Sequence, residues 1–228
     1  MSVTVILTSH MKPFLRDALA SLDAQTRRDF SVVLLDSGAW RGRADERSLA
    51  MAQLYRDTRR HFRWRFTNEP PSPPCPVGAV TNAAIRSGLV TGKYVCHFYD
   101  DDVYGPQFME RMAGYLDDHP DEMAVWCSQD RARIERSGEF RVFSTITAYG
   151  GLGPGQIDNR VDGGQVMYRR SVLDMLGDPW MTEDGASCMH SDGIFLERVA
   201  SAIGHPIGAV PEILMTHRMT PLSTYSPT

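Results

Sequence analysis

Lysine is nearly missing from this chain: of 24 basic residues, only Lys12 and Lys93 are lysines and the rest are arginines. Arginine suits bidentate phosphate contacts, although genomic base composition explains such a bias more simply. Net positive charge is missing as well. The formal charge is -4 and the pI about 6.0, so no global cationic field holds a nucleic-acid backbone or an anionic membrane. Cysteine is sparse: Cys75, Cys96, Cys127 and Cys188 lie far apart with no CxxC pair, which argues against a disulfide framework or a structural zinc site. Apolar runs such as Val3 to Leu7 fall well short of the ~20 residues that cross a bilayer. The first residues lack the charged-then-apolar pattern of a signal peptide. Together these absences predict a reduced, soluble, cytoplasmic protein with no nucleic-acid partner and no transmembrane segment.

What is present is globular. Hydrophobic residues make up 42% and charged residues 23%, too apolar a mixture for a disordered chain. A length of 228 residues points to one sizeable domain. Val3–Leu7 reads as a buried strand, Leu15, Ala18, Leu19 and Leu22 mark a helical face, and Ser31–Leu35 is a second buried strand running into Asp36. This β-α-β opening predicts a parallel sheet. A helix over 44–61, a half-buried strand at Phe62–Phe66 and a helix over 77–89 follow. Glu69–Pro76 is an extended, proline-rich connector, more a stiff linker than a lid. Tyr94–Tyr99 forms the next strand. Past a helix at about 107–118, the pattern changes to antiparallel strands around Ser137-Gly138, a glycine-rich loop at 150–155, helices at 170–176 and 192–203, and a strand over 207–215. The expected architecture is one α/β domain over 1–228, with a nucleotide-binding lobe (1–105) and an α+β acceptor lobe (106–228).

The strand at 94–99 delivers Asp100, Asp101 and Asp102 at its carboxyl end, where open α/β sheets bind ligands. Three adjacent carboxylates repel one another, and Mg²⁺ or Mn²⁺ is the natural compensating guest. Asp36 ends a neighbouring strand on the same edge and suits a ribose or base contact, or else caps a turn. Thr8 ends the first strand and offers a hydroxyl or backbone contact. His97 and His190 read as structural. The interval Arg41 to Arg65 holds eight arginines against Asp45, Glu46 and Asp57, and is expected to be a solvated face.

The order of these features resembles the family 2 glycosyltransferases of the GT-A fold, a Rossmann-like, mostly parallel architecture, especially the small spore-coat polysaccharide transferase type. The matching stretches are Val5–Lys12, Gln25-Thr26 and Asp29-Phe30 leading to Asp36, Asn82–Ile85, Gly92–Tyr94, Asp100–Pro106, Val166–Val172 and Ser191–Gly193. They span nearly the whole chain. The resemblance implies a nucleotide-sugar site at Thr8, Asp36, Asn82, Asp100 and Asp101, with Asp36 accepting the uracil N3–H. It implies a DxD metal motif at Asp100 and Asp102, with Asp101 a rival ligand because the triplet aligns in two registers, and His217 as an added metal ligand. Asp162, in an Asp-Gly-Gly loop, is expected to face the acceptor, and Asp192 to be the catalytic base.

Two departures stand out. Val80-Thr81-Asn82 lacks the arginine that many members carry before this asparagine, and the family's Glu-Asp pair appears as Ser191-Asp192. Glu183-Asp184 is an alternative pair, but Ile194, Phe195, Leu196 and Val199 give Asp192 the amphipathic helix expected behind the base. The implied activity is metal-assisted, inverting transfer of a sugar from a nucleoside-diphosphate sugar, UDP preferred, with Mn²⁺ or Mg²⁺, to a glycan, lipid-linked or small-molecule acceptor. The competing readings are a catalytically silent nucleotide-sugar-binding module, a nucleotidyltransferase and a phosphohydrolase. The last two are disfavoured because Thr8–Pro13 replaces a glycine- and arginine-rich phosphate loop, and no nucleophilic aspartate ends the first strand.

Overall fold

The β-branched run near the start of the chain forms β1 (Val3–Ser9), buried at every position. Burial on both faces is what a central parallel strand requires, and alternation divides its side chains between two cores. Val3, Val5 and Leu7 enter one core and Ile6 the other. β2 (Phe30–Asp36) behaves the same way, and between them α1 (Leu15–Asp23) buries Leu15, Ala18, Leu19 and Leu22, the spacing of one helical face.

A computed structural model of the chain describes residues 2–11, 13–36, 62–65, 75–135, 137–158, 160–187 and 190–220. The expected helix over 44–61, nearly all of the arginine-rich interval and proline-rich connector, and Cys188 lie outside the described residues. The remaining elements are β3 (Phe62–Arg65), α2 (Pro76–Arg86), β4 (Tyr94–Tyr99), β5 (Asp102–Tyr104), α3 (Phe108–Asp118), β6 (Ala124–Ile134), β7 (Phe140–Ile146), β8 (Val166–Arg169), α4 (Ser171–Leu176), α5 (Ser191–Ile203) and β9 (Gly208–Met219), with a single 3₁₀ turn at Gly163–Gln165. Pro76 occupies the first turn of α2, where its missing N–H costs nothing.

The strands form one mixed sheet in the order β3-β2-β1-β4-β8-β6-β9-β5, with β7 paired to β6. β3, β2, β1 and β4 are mutually parallel, giving the expected α/β fold with a mostly parallel central sheet. The later half adds β8, β6 and β9 to that same sheet, by antiparallel and parallel pairing. β4 and β5 are joined by Asp100 and Asp101 alone, yet stand four places apart in the strand order. Laid flat, four strand spacings would separate them by ~19 Å, beyond the ~11 Å reach of that link. The sheet must therefore curl, and stacking of Tyr104 between Phe98 and Phe108, with centroids at 4.0 and 3.7 Å, fills the inside of the bend.

His97 is structural, as expected: it is buried, its Nε2 lies 3.0 Å from the Tyr168 hydroxyl, and its ring packs on Phe195. No helix among the described residues is long and apolar enough to cross a membrane. Burial lowers the His97 pKa to about 4. Between that value and 6.5 the unfolded chain binds a proton that the native chain does not, so stability falls as pH drops through this window, by ~3 kcal/mol at its end. His97→Gln keeps a polar partner for Tyr168 without titrating. Urea denaturation from pH 7 to pH 4 should accordingly show a slope shallower by about one proton in this variant.

Candidate active site

Cross-strand register builds the first half of the site. β5 pairs antiparallel with β9, which sets Asp102 directly opposite His217, and the His217 Nδ1 lies 2.8 Å from the Asp102 Oδ1. Burial pushes the Asp102 carboxyl upward against the pull of His217. Burial opposes protonation of His217, but the charge and hydrogen bond of Asp102 outweigh it and raise its pKa. The pair is therefore an ion pair at neutral pH. The other Asp102 oxygen, Oδ2, is buried with no hydrogen-bond partner.

The second half is the turn Asp162–Gln165. Asp162 caps it, with its backbone N–H donating to Gln165 Oε1 at 2.9 Å, while Gln165 Nε2 donates to the Cys127 carbonyl at 2.7 Å. Gln129 Nε2 donates to Asp162 Oδ2, and Arg131 Nη2 stands 3.6 Å from the same oxygen. The two glycines that follow are there because side chains press on both. A Cβ on Gly163 would meet the Tyr99 hydroxyl at 2.8 Å and Asp192 Cβ at 3.0 Å; one on Gly164 would meet Met215 Cε at 2.8 Å and Asp102 Oδ2 at 3.1 Å.

Asp192 sits in the first turn of α5, a favourable place for a carboxylate at the helix N-terminus. Its Oδ2 accepts from the Gly163 N–H at 3.0 Å and its Oδ1 from the Gly193 N–H at 2.9 Å. Burial raises its pKa; these backbone donors lower it in part, and the nearby Asp162 raises it further. A partly buried carboxylate held by two backbone donors is suited to accept a proton. Asp102, Asp162 and Asp192 thus share one site, and the glycine turn touches two of them on opposite sides.

The other expected residues are placed differently. Asp100 turns to the β1–α1 connection: its Oδ2 accepts from Ser9 Oγ and from the His10 N–H, each at 2.8 Å. Ser9 Oγ also accepts from the N–H of Met11, whose φ of 56° is rare for a residue with a Cβ, so Asp100 braces a strained turn. Asp101 is buried, and its carbonyl accepts from Arg218 Nε at 2.9 Å. Among the described residues no three His, Cys, Asp or Glu side chains gather closely enough to hold an ion, so Asp100, Asp101, Asp102 and His217 are not brought together as one cluster. Adjacent residues leaving a strand point in different directions, and Asp100 is already engaged by Ser9 and His10. What remains is Asp102 with its orphan oxygen and the neighbouring His217. That fits a divalent cation which takes one or two protein groups and completes its shell with substrate phosphate oxygens and water, rather than one held in an all-protein cage.

Thr8 is buried at the end of β1, opposite Leu35 and Tyr99, and Asp36 is buried opposite Ser9, both at the carboxyl ends of adjacent parallel strands. The Asn82 amide donates to the Met181 carbonyl and Glu183 Oε1 and accepts from the Met181 N–H, so it ties α2 to the 181–183 segment. Glu183 is used in that tie, and Asp184 accepts from the N–H and hydroxyl of Ser187, which leaves neither beside Gly163. His190 stands 3.8 Å from Asp158. Sequence reasoning missed Ser9, Gln129 and Arg131. A signal existed for the last two, since Ser128–Arg131 is a polar run inside an otherwise apolar strand.

No protein-family model matches the chain. Protein CgeD of Bacillus subtilis (strain 168) is 27% identical over 230 residues, covering 96% of this chain; the chain spans 50% of that relative's length. Among solved structures, S. aureus TarS superposes with a TM-score of 0.71 at 16% identity, covering 96% of this chain and 37% of TarS. Its 1–349 fragment in complex with UDP-GlcNAc gives 0.64 at 16% identity, with 96% and 59% covered. The mannosyltransferase PcManGT from Pyrobaculum calidifontis, in complex with GDP-Man and Mn²⁺, gives 0.63 at 16% identity, with 94% and 56% covered. The mixed sheet and these likenesses agree: the chain has a GT-A-like α/β fold and is distantly similar to CgeD.

Proposed function

We propose that the chain is an inverting glycosyltransferase that moves a sugar from a nucleoside-diphosphate sugar, UDP preferred, to an acceptor hydroxyl. The observation that carries this reading is the partly buried Asp192 carboxylate, fixed to the glycine turn that also packs on the orphan oxygen of Asp102. In this reading Thr8 and Asp36, at the strand ends, receive the nucleoside, and Asp100 shapes the β1–α1 turn beside it. Asp162 orients the acceptor. The acceptor hydroxyl oxygen attacks the anomeric carbon as its proton passes to Asp192. The bond from that carbon to the diphosphate oxygen breaks, and its electron pair leaves with the diphosphate. One displacement on the face opposite the leaving group inverts the anomeric configuration. A divalent ion held by Asp102 and His217 would compensate the charge that grows on the leaving diphosphate. UDP-GlcNAc and GDP-Man with Mn²⁺ in the similar proteins support the donor class.

Asp192→Asn should lower kcat by 10²- to 10⁴-fold, roughly what general-base catalysis contributes, while UDP affinity by calorimetry stays within about twofold. Near-normal turnover in this variant would overturn the assignment. Because the Asp192 pKa is raised, the kcat profile should fall on the acid side at a pH above the ordinary carboxylate range. Gly163→Ala should act through geometry: the added methyl displaces Asp192 or Tyr99, and kcat should drop on the order of 10²-fold with the fold intact by circular dichroism. Asp102→Asn should weaken the stabilisation of the UDP-bound chain by Mn²⁺ in thermal melts, and an unchanged Mn²⁺ response would remove Asp102 from the metal position.

A further inference from the structure

Beside Asp162 lies a cavity of about 650 Å³ whose only ionisable lining groups of fixed charge, among the described residues, are Arg131 and Arg160. No carboxylate lines it, although the chain as a whole is acidic. Gln156 and Tyr149 add polar and aromatic edges, and Tyr149 is 91% exposed. Both arginines keep donors to spare. Arg131 Nε is buried without a hydrogen-bond partner, and its other end only approaches Asp162 at 3.6 Å. Among the described residues, the Arg160 side chain makes no hydrogen bond or ion pair. On the far side of Tyr149 and Gly150, a second cavity of about 710 Å³ has the opposite character, lined by Asp121, Glu122 and His205. Charge is therefore sorted by sign across one short segment of chain.

Position ties the cationic cavity to the chemistry. Arg131 is the register partner of His217 across the β6–β9 pair, and it reaches the carboxylate that caps the glycine turn. We propose that this cavity receives the anionic group of the acceptor, so that the hydroxyl to be glycosylated belongs to a phosphate- or carboxylate-bearing saccharide. Arg131 and Arg160 grip the oxyanion, with Arg131 Nε supplying a donor that burial has left unanswered. Tyr149 offers a face for the sugar ring. Holding the charged group one residue's reach from Asp162 leaves the neighbouring hydroxyl to approach Asp192. This assignment rests on the glycosyltransferase reading only in naming the bound molecule as acceptor.

Titration of the chain with glucose 6-phosphate, glucuronate and glucose, followed by saturation-transfer NMR with and without UDP and Mn²⁺, tests it. At least one of the two anionic sugars should bind about ten-fold or more tighter than glucose, the scale of a charge-assisted contact, and the gain should shrink with salt. Preference for glucose 6-phosphate identifies a phosphate-bearing acceptor, and preference for glucuronate a carboxylate-bearing one. Arg160→Gln, at an exposed position, should erase most of that gain without changing UDP affinity, and Arg131→Gln should also erase most of it. Equal binding of all three sugars, or undiminished anion preference in both variants, overturns the proposal. Failure to bind UDP counts against the glycosyltransferase reading alone, because the anion preference is also measured without it.

Discussion

Two consecutive glycines set the spacing of everything chemical in this protein. Gly163 and Gly164 present bare backbone on both sides, so Asp192 and Tyr99 press against one and Asp102 and Met215 against the other. Asp162 precedes them and caps the turn they begin. Three carboxylates are thereby gathered at one short segment, an arrangement that repulsion and burial both oppose. The surroundings offset that cost piece by piece. Backbone N–H groups hold Asp192, Gln129 and Arg131 attend Asp162, and His217 faces Asp102. One oxygen, Asp102 Oδ2, is left unanswered, and it is the one that lies against Gly164.

The fold brings these groups together from distant parts of the chain through sheet topology. The short link between β4 and β5 forces the sheet to curl, which carries Asp102 away from Asp100 and onto β9. The strand that closes the sheet then fastens the site in place. Next to His217, the buried Arg218 donates to the Asp101 carbonyl, to Asp17 and to the Phe14 carbonyl, and lies over the rings of Phe14 and Phe140. The donor-side turn, α1 and the last strand are thus locked by a single guanidinium. Losing it would remove three hydrogen bonds that join these elements at once.

Much of the fold was legible in the sequence because β1, β2 and β4 are buried on both faces and read as apolar runs, and because α1, α3 and α5 carry clear helical periodicity. The strands that line the site were legible only at their apolar ends. β9 was expected over 207–215 but runs to Met219, since Thr216, His217 and Arg218 break the apolar pattern while keeping strand pairing. β6 hides its second half for the same reason: Gln129, Asp130 and Arg131 are polar because they serve the site or pair with β7. Function is what erased the signal. The triplet Asp100–Asp102 was conspicuous, but adjacency in sequence said nothing of direction, and the three side chains have separate duties. Asn82 shows the converse, a residue recognisable by its neighbours whose amide is committed to a loop 99 residues away.

Charge balance decides how the remaining parts fit. At neutral pH the site holds Asp102 with His217, and Asp162 with Arg131 near it, while Asp192 is partly buried against neutral backbone donors. In the proposed reaction, a diphosphate arriving there adds negative charge to a pocket whose own carboxylates are already only partly compensated. His217 and Arg131 are the cations that the described residues place at the centre, and each is already shared with a carboxylate. The orphan oxygen of Asp102 is then the natural point for a divalent ion to enter together with its substrate, because the ion joins two anionic groups that would otherwise repel. By the same balance, a group that draws Arg131 away from Asp162 leaves that carboxylate less compensated. The repulsion it exerts on Asp192 grows, and in the proposed mechanism the carboxylate that accepts the proton becomes the stronger base at the moment an acceptor is bound.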